Sequence, residues 1–569
     1  MLISIDIRRN GLMFSSGDSV QKGAALKLAG KYDVIVVGGG PAGCIAAAAA
    51  ARNGANTLLI ERFGFLGGVM TFGFLGGGGL NGYTICDTPT EGSPYRDALK
   101  PLSVRGISLE LYNRMYRDGV VKDERPGIRI QMDAILLTHT LDEMMAEEGV
   151  TVLLNTNAFD AVVENGAVKG VAVSNKSGGQ VYLADVVVDA SADGDIAAAA
   201  GAEFTFGRWD GKTHGISLDI IIGGFDIKKF VKFMKEQPNL PDDERAQLEL
   251  DRSRLIGGGR PPNTSVTYDG KLATINPRGY VTDWAEAERQ LEAGEMPKIT
   301  IGGGGGGPYP GTVPMKDGKY VPDPCTFIKK WIDYIKEGKV PHLMGAILPV
   351  YPAPRYASVV TPRYGKFRLG EMESGSYEVF VDQTNEKEIS AAMAYMRKLN
   401  DVYVAFLREK IPGFEDCYVM YESPVPGTRE SRSIVGEYTL DDEDVFQGRS
   451  FDDSIAVGGP RGSSTHSITG IWGDGMTSTL EGPFGLPYRM IVPKELDNLL
   501  TSGRCVSATF SAFGAIRDQA NCMSLGEAAG TAAALASKKG IKPRDLDVKE
   551  IQEALSAQGA VWSLDDVRV

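Results

Sequence analysis

Gly38, Gly40 and Gly43 stand at G-x-G-x-x-G spacing, and Glu61 follows Gly40 by 21 residues. Glycines so spaced suit a turn that lays bare backbone against phosphate. Gly38 permits a tight exit from a strand, Gly40 lets the main chain approach a pyrophosphate, and Gly43 lets a helix lie close on a sheet. A carboxylate about 20 residues further on takes the hydroxyls of an adenosine ribose. These residues point to binding of a dinucleotide. They do not say which one.

The pattern has meaning only if particular elements position it. Residues 33–37 are a short apolar run, the length of a buried parallel strand. The alanine-rich run 42–53 reads as a helix whose small side chains allow close packing. Its N-terminal N–H groups and dipole would face the phosphates. Residues 56–60 form a second apolar strand, ending at Glu61. Strand, turn, helix, strand and acid in that order are a far stronger signal than the glycines alone. The six-glycine run 302–307 is followed by PYPG, so a proline and a turn come after it and no helix. It is excluded as a second dinucleotide site and reads as a loop near a ligand or an interface.

Further along, residues 132–148 read as an amphipathic helix with Ile135, Leu136, Leu141, Met144 and Met145 on its apolar side. His139, in that helix, takes a structural or surface role. Residues 151–188 switch to short strands separated by Glu-Asn-Gly and Ser-Gly-Gly turns, a β-meander that returns to the main sheet. Residues 496–501 are strand-like, and 521–536 form a second small-residue helix. Glycine and small-residue signals therefore fall at the two ends of the chain. They predict an α/β fold: a Rossmann-like domain of parallel sheet, helices and β-meander, residues 31–213 plus 485–540, carrying an inserted mixed α+β substrate or cap domain, residues 214–484. A leader (1–30) and a C-terminal tail (541–569) complete the chain.

At 569 residues the chain has room for two to four domains. A formal charge of −13 argues against a nucleic acid or an anionic membrane surface as partner. No apolar run is long enough to span a bilayer, and the first residues lack the features of a secretory signal, so a cytoplasmic location is expected. The six cysteines are scattered and none forms C-x-x-C. With only four histidines (139, 214, 342 and 466), no metal site is expected, and any active-site histidine is one of these four. Association into a homo-oligomer is left open.

Several segments resemble the bacterial FAD-dependent oxidoreductases of the glutathione-reductase structural class, related in fold to fumarate reductase flavoproteins. They are the glycine turn with its flanks, FLGGVMT (65–71), VVDASADGDIAAAAGAEF (187–204), GTRESRSIVGEYTLDDEDV (427–445) and the long stretch 486–536. The third resembles an Asp-Ala-Thr-Gly-Asp-Gly-Asp pattern, with Ser191 and Ala192 in place of Thr and Gly. The resemblance is poorest over 215–420, where substrate-shaping residues would lie. It implies FAD, held non-covalently, with the helix opening near Asn521 and Ser524 facing the pyrimidine edge of the flavin. The meander would cover the adenine, with Ala158 as a backbone contact. Expected cofactor residues are Gly38, Gly40, Pro41, Ala42, Gly43, Glu61, Arg62, Gly67, Gly68, Val69, Met70, Thr71, Ala158, Ala190, Ser191, Gly503, Arg504, Arg517, Asn521, Met523 and Ser524.

A flavin supplies hydride chemistry, so the protein must orient substrate, move protons and hold charge. His466 falls where the resemblance places an Asp-x-His segment, with Ser464 in the slot of the Asp. Arg429 and Arg432 flank Glu430 and would either clamp a carboxylate substrate or brace a domain interface. Arg517 would meet the flavin or a substrate anion, or form a structural ion pair. Tyr438 and His214 are further candidates. The expected activity is hydride transfer between a small organic substrate and FAD, with an external electron donor or acceptor of unspecified kind at the same flavin. An oxidase or monooxygenase using molecular oxygen, or an FAD-binding subunit of a larger complex, are the alternatives.

Overall fold

The computed structural model describes residues 26–71, 103–121, 133–208, 222–237, 284–293, 326–340, 382–459 and 482–567, with short strands and single residues between them. Strand β1 (Leu26–Val37), helix α1 (Pro41–Arg52) and strand β2 (Thr57–Ile60) form the opening unit. The two strands pair in parallel, Val34 with Thr57 through Val37 with Ile60. Val34, Ile35 and Val36 are fully buried, which is why this run carries no alternation of polar residues.

Helices α2 (Gly106–Arg117) and α3 (Ala134–Glu147) cover one side of the sheet. Asp133 caps α3 by accepting from the N–H groups of Ile135 and Leu136. The buried stripe is Ala134, Leu137, Leu141, Met144 and Met145, while Ile135 is 51% exposed. The expected apolar face is thus corrected by one position in the first turn. His139 lies exposed on the same helix.

Strand β3 (Thr151–Leu153) pairs in parallel with β2 and so belongs to the parallel layer. The meander is the next three strands alone: β4 (Asn157–Glu164), β5 (Ala167–Asn175) and β6 (Gly178–Asp189). The order across the sheet is β3-β2-β1-β6-β5-β4.

The middle of the chain builds a separate core. It draws on β8 (Ile220–Gly223), α5 (Ile227–Lys235), α6 (Thr326–Lys336) and α7 (Glu386–Lys410). Phe230, Trp331, Tyr403, Phe406 and Phe414 are its fully buried aromatics. The ring of Trp331 meets Phe406 edge-on at 4.9 Å, and Phe225 stacks on Phe414 at 4.7 Å. Between β6 and this core lie α4 (Asp195–Ala199) and β7 (Phe204–Phe206); after it come β9 (Tyr418–Glu422) and β10 (Arg432–Ile434). β10 returns to pair with β7, Phe204 opposite Ile434. Leu440, Val445, Ile455 and Ala456 then pack in the core that holds α1. The stretch 440–456 therefore sides with the ends of the chain, and the boundary expected at 484 falls well after it.

Strand β11 (Leu499–Thr501) pairs in parallel with the last three residues of β6, just where β5 has peeled away. Helices α8 (Phe510–Ile516), α9 (Gln519–Lys539) and α10 (Val548–Ala557) follow. α9 lies against α1 at backbone distance. A Cβ on Gly526 would stand 2.2 Å from the carbonyl oxygen of Ala42, and one on Gly530 would stand 2.0 Å from that of Ala46. Small residues on both helices permit this approach. The segment expected as a tail is packed: Ile551 and Leu555 are buried, and Gln552 donates to the carbonyls of Asp452 and Ser454 at 2.9 and 3.0 Å.

Candidate functional site

The turn between β1 and α1 is built as its glycines require. Gly38 has φ +100 and its Cβ would lie 2.4 Å from the carbonyl oxygen of Ala190. A Cβ on Gly43 would lie 1.7 Å from the carbonyl oxygen of Gly38. Gly40 differs. It is the N-cap of α1 at φ −74 and ψ −172, backbone that any residue adopts, and its Cβ would meet nothing within 4 Å. Neither conformation nor packing asks for glycine there. Close approach of a group from outside the chain would.

Around Gly40 the surface is nearly all backbone. Pro41 opens the helix, no side chain caps it, and no acid lies in its first turn. Its leading N–H groups thus await an acceptor, the usual setting for phosphate. Gly67 (φ +90) donates its N–H to the carbonyl of Gly39 at 2.7 Å. A Cβ on Gly68 would come within 3.3 Å of Gly40 Cα, and one on Gly503 within 3.1 Å of Ala42 Cβ. Gly68 and Gly503 therefore flank the start of α1.

Glu61 is 5% exposed. Its Oε2 accepts from Gly39 N at 2.6 Å and its Oε1 from Phe63 N at 2.7 Å. Burial pushes its pKa up, while these two amides and Arg62 pull it back. The carboxyl is thereby fixed beside the glycine turn, with lone pairs left for further donors. Arg62 is exposed, its guanidinium 5.0 Å from the ring centre of Phe63. Glu61→Gln must leave either Gly39 N or Phe63 N facing an amide NH₂. We expect it to weaken FAD binding by about 1.5–3 kcal/mol, or roughly 10- to 150-fold, in a titration of apoprotein with FAD; unchanged affinity would sink this assignment.

Other expected cofactor residues take varied positions. Val69 is half-buried, whereas the side chains of Met70 and Thr71 are fully buried, Thr71 Oγ1 donating to the carbonyl of Leu66 at 2.7 Å. Those two can offer a ligand little but backbone. Ala158 is half-buried on β4. Ala190 N donates to the carbonyl of Val37 at 2.9 Å, beside Gly38. Ser191 donates through N and Oγ to Asp189 Oδ1. Arg504 donates through Nη2 to Thr428 Oγ1 at 3.1 Å and to Asp193 Oδ1 at 3.3 Å. Arg517 is the C-cap of α8, directly before α9. In the first turns of α9, Asn521 donates to the carbonyl of Ala515 at 3.1 Å, Met523 is fully buried, and Ser524 donates to Ala520 O.

Among the expected catalytic residues, His466 and His214 lie outside the described residues. Arg432 donates from Nη1 to Asp195 Oδ1 at 3.0 Å and to the carbonyl of Asp193 at 3.1 Å. Of its two expected roles, this geometry is that of a brace. Arg429 is 2% exposed and its N–H donates to Gln383 Oε1 at 3.2 Å. Tyr438 donates to Asp444 Oδ2 at 2.6 Å, and burial together with that carboxylate pushes its pKa up to about 12. A hydroxyl so committed is a poor proton donor near neutrality.

Sequence reasoning missed Asp189, which is fully buried at the end of β6. Its two oxygens accept from Ser191 N, Ser191 Oγ, Ile196 N and Ala197 N, and so shape the second turn, opposite Gly38. Asp193 was missed as well. It accepts from Ser431 Oγ at 2.6 Å and from Arg504, joining the turn after β6, the 428–431 segment and the strand end before α8. The partners of Asp193, 238 and 311 residues away, give no local signal.

A profile of FAD dependent oxidoreductases matches residues 33–555, from the first buried residues of β1 to the end of α10. The chain belongs to the FAD dependent oxidoreductase family. The cradle at Gly40, the uncapped start of α1 and the fixed Glu61 fit FAD as the group held. Digeranylgeranylglycerophospholipid reductase of Methanocella arvoryzae is 26% identical over 318 residues, 52% of this chain and 73% of that protein. The enzyme of the same name from Thermoplasma acidophilum is 30% identical over 266 residues, 46% of this chain and 56% of that protein. The chain thus spans about half to three quarters of the length of these curated relatives. A solved geranylgeranyl bacteriochlorophyll reductase-like protein from Thermoplasma acidophilum aligns with 93% of this chain and 83% of its own, at 13% identity and a TM-score of 0.36. No helix among the described residues is long and apolar enough to cross a membrane.

Proposed function

We propose that this family member transfers a hydride between a small organic substrate and non-covalently held FAD, and that a second electron partner meets the same flavin in a separate half-reaction. The observation that carries the reading is the glycine turn with Glu61 within a family match over most of the chain. The single dinucleotide fingerprint supports a shared flavin over a separate nicotinamide domain. The reductase names of both relatives support the reducing direction over use of oxygen. The resemblance to the glutathione-reductase class and to fumarate reductase flavoproteins supports two bodies: a nucleotide-binding one from the two ends of the chain, and a cap from its middle. The separate apolar core of residues 220–417 supports the same division.

When bound, FAD supplies the hydride acceptor or donor itself. In this reading Gly38, Gly40 and Gly43 hold its pyrophosphate by backbone, Glu61 takes the adenosine ribose, and the start of α9 offsets charge on the pyrimidine edge. His466 exchanges a proton with the substrate, Arg429 and Arg517 hold a substrate oxygen, and His214 is the alternative to His466. We expect His466→Ala to slow anaerobic flavin reduction or oxidation by substrate about 10²–10⁴-fold while leaving the FAD spectrum unchanged. A rate within a factor of two of wild type removes His466 from the mechanism. Rapid reoxidation by oxygen with product formed only aerobically would replace the reductase reading with a monooxygenase one.

A further inference from the structure

Helix α2 begins without a cap of its own. Arg105 stands at its N-cap and makes no side-chain cap hydrogen bond. The acceptor comes instead from another helix, 420 residues away in sequence: Glu527 Oε2 of α9 accepts from Ile107 N at 3.1 Å. The amide of Ser108 also faces this carboxyl. Gly106 has φ +62, and a Cβ there would lie 2.4 Å from Glu527 Oε1. The helix start is thus pressed onto the carboxyl. Glu527 is 1% exposed, and its Oε1 has no hydrogen-bond partner among the described residues. A buried carboxylate with one oxygen unpartnered is costly; a neutral acid costs less.

The charges around it do not offset that cost. Arg52 on α1 favours ionisation and Glu110 on α2 opposes it, but the two are bonded to each other at 2.6 Å. Arg114 on α2 is spent on Glu110 and Glu147. On α10, Lys549 and Glu553 are exposed and Glu550 is paired with Lys539. We propose that Glu527 is a pH-sensitive latch: as a neutral acid it holds the start of α2 against α9, and on ionisation it releases that end of the helix.

Burial pushes this carboxyl up to about 8, against an ordinary value of 4.5. A folded-state value raised in this way gives stability that is whole below about 4.5 and is lost as pH rises through about 8. Release therefore belongs to the alkaline side of neutrality.

The test is hydrogen exchange of the Ile107 and Ser108 amides in the FAD-loaded protein from pH 6 to 9.5, corrected for intrinsic exchange, with wild type and Glu527→Gln compared. Glutamine has the shape of the neutral acid and cannot ionise. We expect protection in wild type to fall at least tenfold as pH rises through about 8, and protection in Glu527→Gln to stay level. Level protection in wild type, or an equal fall in the variant, overturns the latch. Should the variant not fold, the wild type decides alone. Infrared spectra at pH 6.5 must then show a protonated carboxyl stretch that disappears above about pH 8 together with the protection, and its absence at pH 6.5 overturns the proposal.

Discussion

Gly40→Val leaves a folded chain that no longer retains FAD, whereas Gly43→Ala, though a smaller change, does not fold stably. The two glycines share one turn and one motif, yet the structure gives them opposite reasons to exist. At Gly40 the backbone is at φ −74 and the Cβ position is open for 4 Å, so valine costs the fold only a poorer N-cap, about 1 kcal/mol. What the valine side chain takes is the space over the uncapped start of α1, where a pyrophosphate would lie. At Gly43 even a methyl group meets a main-chain oxygen, at 1.7 Å from Gly38 O. That oxygen is fixed by the strand behind it, since Gly38 N donates to the carbonyl of Ile60 at 2.7 Å. α1 would have to move off the sheet, at a cost above the usual ~1–3 kcal/mol of overpacking. Circular dichroism and the FAD released per chain on acid precipitation separate the two cases. Wild-type flavin content in Gly40→Val would show that the phosphate site has been misplaced.

The contrast marks what could be read from the chain before folding. The opening unit was legible because everything it needs is local: an apolar run, a turn and a helix of small residues within 30 positions. The partner helix α9 was legible for the same reason, as a run of small residues, although its docking on α1 was an inference. Long-range partners were not legible. Arg432 reads equally as a substrate clamp and as a brace until Asp195 is seen beside it, 237 residues earlier in the chain. Ile135 reads as core until α3 is seen to pack through Leu137, Leu141 and Met144, which leaves Ile135 51% exposed. Ala192 falls between these cases. The resemblance puts a glycine in its place, and the structure gives it φ +77, a conformation that costs a residue with a Cβ about 1–2 kcal/mol. The departure from the pattern was visible in sequence; only the structure shows that the backbone still takes the glycine conformation.

Gly530→Val unfolds or loosens the nucleotide-binding part of the molecule, while Gly540→Ala, on the same helix, is nearly silent. Gly526 and Gly530 are one helical turn apart and face Ala42 and Ala46, also one turn apart on α1. Main chain meets main chain along this seam, so the neighbours of an added side chain are carbonyl oxygens, which cannot swing aside. At 2.0 Å from Ala46 O, a Cβ on Gly530 must push the helices apart by more than 1 Å to reach ordinary contact at ~3.4 Å or more. That opens the alanine-lined core on both sides, adding cavity cost to overpacking, and we expect a loss of at least ~3 kcal/mol. Gly540 ends α9 at φ +64 with nothing within 4 Å of its Cβ, so alanine there costs only the left-handed conformation, about 1 kcal/mol. Because α1 carries the start of the phosphate cradle on its first turn, the displaced helix also loses FAD affinity, which separates this effect from simple weakening at a distance. Thermal melts of apo and FAD-loaded protein read both quantities. The FAD-dependent rise in melting temperature should be intact in Gly540→Ala and reduced or absent in Gly530→Val. Equal melting temperatures for the two variants would mean that α1 and α9 do not meet along these glycines.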